Sequence, residues 1–340
     1  MSVLVEARGV TKHFPLGRGK TVHAVDDLSL SIDAREIVGL VGESGSGKST
    51  FGKVLVGLHD KTDGAVYLEG ERLPQRYTAG DFQRHARRMQ MIFQDPYSSL
   101  NPRMTVGEIV GEGLRLHGGA SDLQVRETVK DWLERVGLES GYAGRYPHEL
   151  SGGQRQRVGI ARALIVKPTF VVCDEPISAL DVSVQAQIVR LLGELKESLG
   201  LTLLFIAHDL SMVRYVSDRM AVMYLGSLVE VGDANDVYFR PWHPYSKVLV
   251  ASNPEPDPRS ERQKATVPIT GEIPSAINIG AGCRFASRCS EVMNVCRTAT
   301  PSLRTLPDGA STRQIACHLY ETAGQSSPAP TALPADVVDG

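Results

Sequence analysis

An α/β architecture is what the sequence predicts, on three observations. Over residues 1–250, β-branched strand patterns alternate with helical patterns. Three runs, Val38–Val41, Phe170–Cys173 and Leu203–Ala207, are apolar throughout and of strand length, as strands buried on both faces require. The first of them runs directly into a glycine-rich turn followed by a helical pattern.

Each element follows in order. Residues 42–49 read GESGSGKS and fit G-x-x-x-x-G-K-[ST] in the strand–turn–helix context that the motif needs. The small residues Gly42, Ser44, Gly45, Ser46 and Gly47, with Glu43 among them, let backbone N–H groups turn inward toward phosphate oxygens. A helix starting near Lys48 adds its positive dipole end. Lys48 is expected to reach the β- and γ-phosphates, the Ser49 hydroxyl to ligate Mg²⁺, and Thr50 to complete the loop. Leu123–Val136 shows helical spacing through Val125, Val129, Trp132, Leu133 and Val136. Ile165–Cys173 and Thr202–Ala207 are the longest apolar candidates and read as buried strands, far short of the roughly 18–20 residues that span a bilayer. Asp174 ends one of these strands, where it can hold Mg²⁺ through water, and Glu175 beside it can polarise an attacking water.

Composition narrows the class further. The chain has 340 residues, 42% hydrophobic and 22% charged, enough for a sizeable core and a second, smaller unit. A net charge of −2 gives no basic surface for nucleic acid. The start, MSVLVEAR, has no basic region followed by an apolar stretch, so no signal peptide is expected and the chain is expected in the cytoplasm, reaching a membrane through partners. Residues 251–268 are rich in proline and charge and read as a linker; residues 321–340 are rich in proline, alanine and serine and read as a disordered tail.

Of five cysteines, Cys173 lies inside an apolar strand and reads as a buried small hydrophobe. The other four, Cys283-x₅-Cys289-x₆-Cys296-x₂₀-Cys317, fall within 269–320. Disulfides are disfavoured in a reducing compartment, so clustered thiols suggest a metal. Four thiolates suit either tetrahedral Zn²⁺ or a [4Fe–4S] cluster, and packing without any ligand is the third reading. Arg284 and Arg288, beside the first two, could offset the negative charge of a ligated cluster.

Further motifs add a family resemblance. Ser151-Gly152-Gly153-Gln154, after Leu150 and before RQR, is a small-residue turn opening a helix, a second nest of N–H groups for phosphate. With Gln94 in MIFQDP, Ser178-Ala-Leu-Asp181, His208 in FIAHDL and Phe14 in TKHF, the chain over 1–250 resembles the nucleotide-binding domain of ABC ATPases. The resemblance implies a P-loop NTPase fold with a helical subdomain at about 95–165 and a small Cys-containing C-terminal extension at 269–320. In it Phe14 stacks on adenine, Gln94 and Asp174 serve Mg²⁺, Asp181 belongs to the D-loop, and His208 is the switch histidine. It also implies a head-to-tail pair of such domains, with ATP between the loop of one and Ser151–Gly153 of the other. One loop and one such turn per chain mean that a second ATPase chain supplies the other half.

Residues 94–110, 174–189, 243–249 and 271–289 are similar to the ATPase subunits of dipeptide and oligopeptide importers, nearer the F-type than the D-type. That resemblance implies two permease subunits, a D-type partner ATPase and an external peptide-binding protein, at the cytoplasmic face of the cell membrane. It associates the cysteine motif with a [4Fe–4S] cluster. Relatives importing nickel, glutathione or oligosaccharides keep the solute open. The opposing class, soluble ABC ATPases of translation or DNA repair, carries tandem domains or a long insertion; the 56 residues between Gln94 and Ser151 hold no heptad run.

Overall fold

A computed structural model of the chain describes residues 2–117, 120–253, 272, 274–306 and 313–320. The strands are β1 (Val3–Gly17), β2 (Lys20–Asp33), β3 (Ile37–Val41), β4 (Asp63–Leu68), β5 (Glu71–Arg72), β6 (Met89–Ile92), β7 (Phe170–Asp174), β8 (Thr202–Ile206), β9 (Arg219–Tyr224), β10 (Ser227–Asp233), β11 (Arg304–Thr305) and β12 (Gln314–Ile315). The helices are α1 (Lys48–Leu55), α2 (Ala79–His85), α3 (Pro96–Ser99), α4 (Val106–Leu116), α5 (Asp122–Arg135), α6 (Gly152–Leu164), α7 (Val182–Leu199), α8 (Leu210–Val216), α9 (Ala234–Phe239) and α10 (Pro244–Ala251).

The central sheet runs β11-β12-β10-β9-β3-β8-β7-β6. Its β9-β3-β8-β7-β6 core is parallel, and β10, β12 and β11 extend it antiparallel. A second, antiparallel sheet, β2-β1-β4-β5, is hydrogen-bonded separately from it. Successive residues of the parallel strands face opposite layers, as the two-residue period of a strand dictates. Val171, Cys173, Leu203 and Phe205 face the helical layer that includes α4, α5 and α6. Val38, Leu40, Phe170, Val172, Leu204 and Ile206 face α1 and the antiparallel sheet.

The helices begin where the chain offers caps. Thr105, Ser121 and Ser151 each accept from the N–H three residues on, and Glu108, Gln124 and Gln154 return the bond to the cap's own N–H. The α5 pattern expected from Leu123 to Val136 is seen as Asp122–Arg135, burying Val125, Val129, Trp132 and Leu133. One expectation needs correction: Ile165–Cys173 is not a single strand. Ile165 caps the end of α6, Lys167 turns with φ 55°, and Pro168 bars a helix, so the strand begins only at Phe170. The antiparallel sheet and the addition of β11 and β12 to the main sheet have no counterpart in the sequence reading. The expected linker falls outside the described residues from 254 on, as does the whole of the expected tail. No helix among the described residues is long and apolar enough to cross a membrane.

Candidate functional site

The phosphate-loop segment joins β3 to α1. Gly42, Gly45 and Gly47 adopt φ of 153°, 77° and 102°. At Gly47 a Cβ would lie 1.9 Å from the Ala24 carbonyl oxygen, so both backbone conformation and space require glycine there. The first-turn N–H groups of α1 have no intrahelical acceptor and are free for an anion. Lys48 is buried and donates to Gly42 O at 2.7 Å and Glu43 O at 2.9 Å, folded back over its own loop. Burial lowers its pKa, and the charges of Glu175, Asp174 and Glu43 oppose that shift.

Ser49 Oγ donates to Asp174 Oδ1 at 2.6 Å, joining the loop to the end of β7. Burial raises the Asp174 pKa, while the Ser49 bond and nearby lysines pull it down. A buried carboxylate and a hydroxyl in contact form the hard-oxygen set that a divalent cation prefers, and such a cation would restore the solvation that Asp174 loses. Glu175 has φ 45°, a backbone that costs a non-glycine residue about 1–2 kcal/mol. Its N–H donates to Ile206 O at 2.9 Å, which holds it in place. Its carboxylate meets two of the expected residues: Gln94 Nε2 donates to Oε2 at 2.8 Å, and His208 Nδ1 lies 3.7 Å from the same oxygen. The loop, Asp174, Glu175, Gln94 and His208 thus converge from the ends of β3, β7, β6 and β8, the carboxyl edge of a parallel sheet where ligands bind.

The remaining residues stand differently. Ser151–Gln154 open α6, and the hydrogen bonds of Ser151 and Gln154 run within that first turn and to Tyr142. Ser151 is exposed. Asp181 precedes α7 without a side-chain cap bond, and Val182 after it is 81% exposed. Ser178 Oγ donates to Glu175 O at 3.2 Å, tying this turn to Glu175. Phe14 lies on β1, edge-on to His59 at 5.6 Å and 4.8 Å under the Lys12 ammonium, two neighbours absent from the sequence reading.

Cys173 is fully buried, and burial pushes its thiol up to about 12. Cys283, Cys289, Cys296 and Cys317 are free thiols, near enough for the charge of the first three to act on Cys317. The Cys283 N–H donates to Cys296 O at 2.8 Å. Burial pushes Cys317 up to about 12, and negative charge on the other three cysteines adds to the shift. Among the described residues, no three of these sulfurs lie within 4.8 Å of one another; the group that does meet this spacing is His13, His23 and Asp26. There the carboxylate is already engaged by Arg284.

Fold and site together define a P-loop ATPase of the ATP-binding-cassette kind. The ABC transporter profile matches residues 25–178, and the profile of the oligopeptide/dipeptide transporter C-terminal region matches 229–296. The putative oligopeptide transport ATP-binding protein YkfD of Bacillus subtilis is 50% identical over 94% of this chain and 96% of its own length. The oligopeptide transport ATP-binding protein OppF of the same organism is 55% identical over 77% of this chain and 86% of its own. The dimeric ATP-binding cassette MJ0796, in a post-hydrolysis state with ADP and Pi, superposes with TM-score 0.63 at 30% identity, covering 68% of this chain and 99% of that one. The chain belongs to the ATP-binding subunits of ABC transporters, in the branch that carries the oligopeptide/dipeptide C-terminal region. It is an ATP hydrolase whose reaction is coupled to transport.

Proposed function

We propose that the chain energises uptake of di- and oligopeptides, as one ATPase of an importer with two permease subunits, a related D-type ATPase and an external peptide-binding protein. It then works at the cytoplasmic face of the cell membrane as a peripheral subunit. The observation that carries this reading is the set Ser49–Asp174 and Gln94–Glu175–His208 at one sheet edge, in a chain whose C-terminal region is of the oligopeptide/dipeptide type. The division into an ATPase domain over 1–250, a linker at 251–268 and an extension at 269–320 belongs to the same proposal.

Each side chain then has a task. The N–H groups of 42–50 and the Lys48 ammonium bind the phosphates, and Phe14 supports the base. Ser49, Asp174 and Gln94 hold Mg²⁺, which when bound neutralises charge developing on the transferred phosphoryl group. Glu175 accepts the proton of the attacking water, and Gln94 and His208, both on its carboxylate, orient it and sense the γ-phosphate. The turn at Ser151–Gly153, with Ser151 exposed, and the exposed Asp181 complete the site of a second ATPase chain rather than their own. Binding closes the pair, and hydrolysis opens it. Reconstitution with the permeases and binding protein tests the whole reading. Peptide-stimulated ATP turnover is expected; turnover driven by nickel, glutathione or an oligosaccharide, and not by peptide, would redirect it.

The four cysteines are part of the proposal as holders of a [4Fe–4S] cluster. Sulfurs sharing one Zn²⁺ sit about 3.8 Å apart, as 2.3 Å bonds in a tetrahedron require. In a [4Fe–4S] cluster each thiolate binds a separate iron, and what supports that reading is the four-cysteine motif itself. Such a cluster would staple a segment with few apolar residues of its own. Anaerobic purification should yield about four irons and four sulfides per chain. Stoichiometric zinc without iron would replace the cluster reading.

A further inference from the structure

Of the five residues between Cys283 and Cys289, Arg288 bonds the phosphate loop directly, and Arg284 and Phe285 reach it through residues that hold it. Arg284 donates to the Leu225 carbonyl and to the Asp26 carboxylate. The next residue in chain, Gly226, donates its N–H to Ser46 O at 2.8 Å, inside the loop. Phe285 is buried against Tyr224 and Tyr245, with ring centroids at 5.3 and 5.4 Å. The Tyr245 hydroxyl in turn accepts the Glu43 N–H at 2.8 Å. Arg288, only 6% exposed, makes a two-pronged bond to the Glu43 carboxylate, at 2.8 Å to Oε2 and 3.1 Å to Oε1. It also donates to Tyr224 OH at 3.4 Å.

Glu43 is the anomaly that these contacts explain. It places a carboxylate within a loop whose ligand is a polyanion. An unpaired negative charge so near the phosphates opposes binding, and a partly buried site screens it less than open water would. Arg288 neutralises that carboxylate and fixes it in place, while Lys48 binds Glu43 only through the backbone oxygen. The planar guanidinium fork suits this task better than an ammonium, because it fixes both oxygens at once. Since Arg288 is the immediate neighbour of Cys289, its position depends on how the cysteine segment is held.

We propose that Arg288 is a positioning residue for nucleotide binding: it neutralises and orients Glu43 in the phosphate loop, and the fold of the cysteine segment thereby sets ATP affinity. The proposal rests on residues 42–50 being the ATP phosphate site. Wild-type protein that fails to bind ATP would sink that reading first, before any variant is compared.

The experiment is a titration of the anaerobically purified full chain with a fluorescent ATP analogue and Mg²⁺, across a charge-reversible set of variants. Arg288→Gln should raise the Kd about tenfold, an effect that shrinks as salt rises. Glu43→Gln alone should lower the Kd, because it removes the loop's negative charge and frees a cation beside it. The double variant Arg288→Gln/Glu43→Gln should return to within about twofold of Glu43→Gln, since the charge that Arg288 offsets is gone. Arg288→Lys, which keeps the charge, should fall between wild type and Arg288→Gln. Cys289→Ser should reproduce the weaker binding without touching the loop, and Glu43→Gln should relieve it as well. A purely structural Arg288 would give a defect that Glu43→Gln cannot rescue, and that outcome overturns the proposal. Weaker binding by Glu43→Gln alone, in protein whose melting profile shows the fold intact, overturns it too. Unchanged affinity in Cys289→Ser, with its iron content lost, overturns the link to the cysteine segment.

Discussion

The phosphate loop and the cysteine segment are both irregular stretches built on small residues, and they are held in opposite ways. The loop closes largely on itself: Lys48 reaches the carbonyls of Gly42 and Glu43, six and five residues back, and α1 follows at once. The cysteine segment is fastened by reach across the chain. Arg288 meets Glu43 245 residues away, Arg284 meets Asp26 258 residues away, and Arg313 enters a buried pair with Glu230 83 residues away. Local closure leaves a linear trace that can be recognised as a motif. Distant fastening leaves only isolated arginines, which look like ordinary surface charge until their partners are seen.

Four measurements would break or sharpen this contrast. The largest effect is expected within the nucleotide site. Glu175→Gln keeps size and the Gln94 neighbour but removes the base, so ATP turnover should fall about 10²–10⁴-fold. ATP affinity, read in the same titration, should survive, and the extension should stay folded by its melting profile. Near-normal turnover would remove Glu175 from the chemistry.

The next effect belongs to the distant fastening. Glu230 is fully buried, accepts from the Trp242 and His243 N–H groups at 3.0 Å, and pairs with Arg313. Removing its carboxylate by Glu230→Ala strands a buried guanidinium, a change that costs about 3–5 kcal/mol. Urea denaturation should show that loss, with protease cleavage appearing first in the extension. Uniform destabilisation with no early cleavage there would mean that the extension and the ATPase core unfold as one unit.

A pH titration probes the joint between the two regions. His243 is fully buried, its Nδ1 accepts the Tyr245 N–H at 3.0 Å, and burial drops its pKa from 6.5 to about 3. The folded state therefore holds His243 neutral where the unfolded chain would bind a proton. Stability from this group is whole above pH 6.5 and is lost as pH falls from 6.5 toward 3, by about 2 kcal/mol at pH 5. Thermal melts of wild type and His243→Asn should converge as the pH is lowered through this window. Parallel curves would assign the acid sensitivity elsewhere.

The smallest effect is expected at the exposed turn. Ser151→Ala removes the α6 cap bond, worth about 1 kcal/mol of stability. It should also lower turnover in the assembled ATPase pair more than in the isolated chain. Equal loss in both would confine Ser151 to capping.

Much of the nucleotide site was legible before any coordinates. Residues 42–49, Asp174–Glu175 and His208 each follow an apolar strand, and the sheet's parallel order brings those strand ends together. The joining of Gln94 and His208 on one Glu175 oxygen was not legible, because it depends on the left-handed backbone at Glu175 and on side-chain direction. Lys12 and His59 around Phe14 were missed as well, since a lone lysine and a lone histidine carry no pattern. The strand boundary at Phe170 was misplaced because apolar Ile165 and Val166 continue the composition of a strand past the turn that Lys167 and Pro168 impose.

By itself, the sequence determined the α/β class, the phosphate loop, the order of the sheet-edge residues and the grouping of four cysteines in the chain. These rest on local steric and hydrophobic rules: glycine where φ is positive, two-residue alternation where both faces are buried, small residues before a helix. Tertiary structure alone decided which sheet edge the extension joins, that its cysteine loop lies behind Glu43, and that Arg288 rather than solvent answers that carboxylate. The reason is physical. A buried charge is satisfied by whichever opposite charge the fold brings within reach, and over 245 residues of separation nothing in the local chain specifies which one that is.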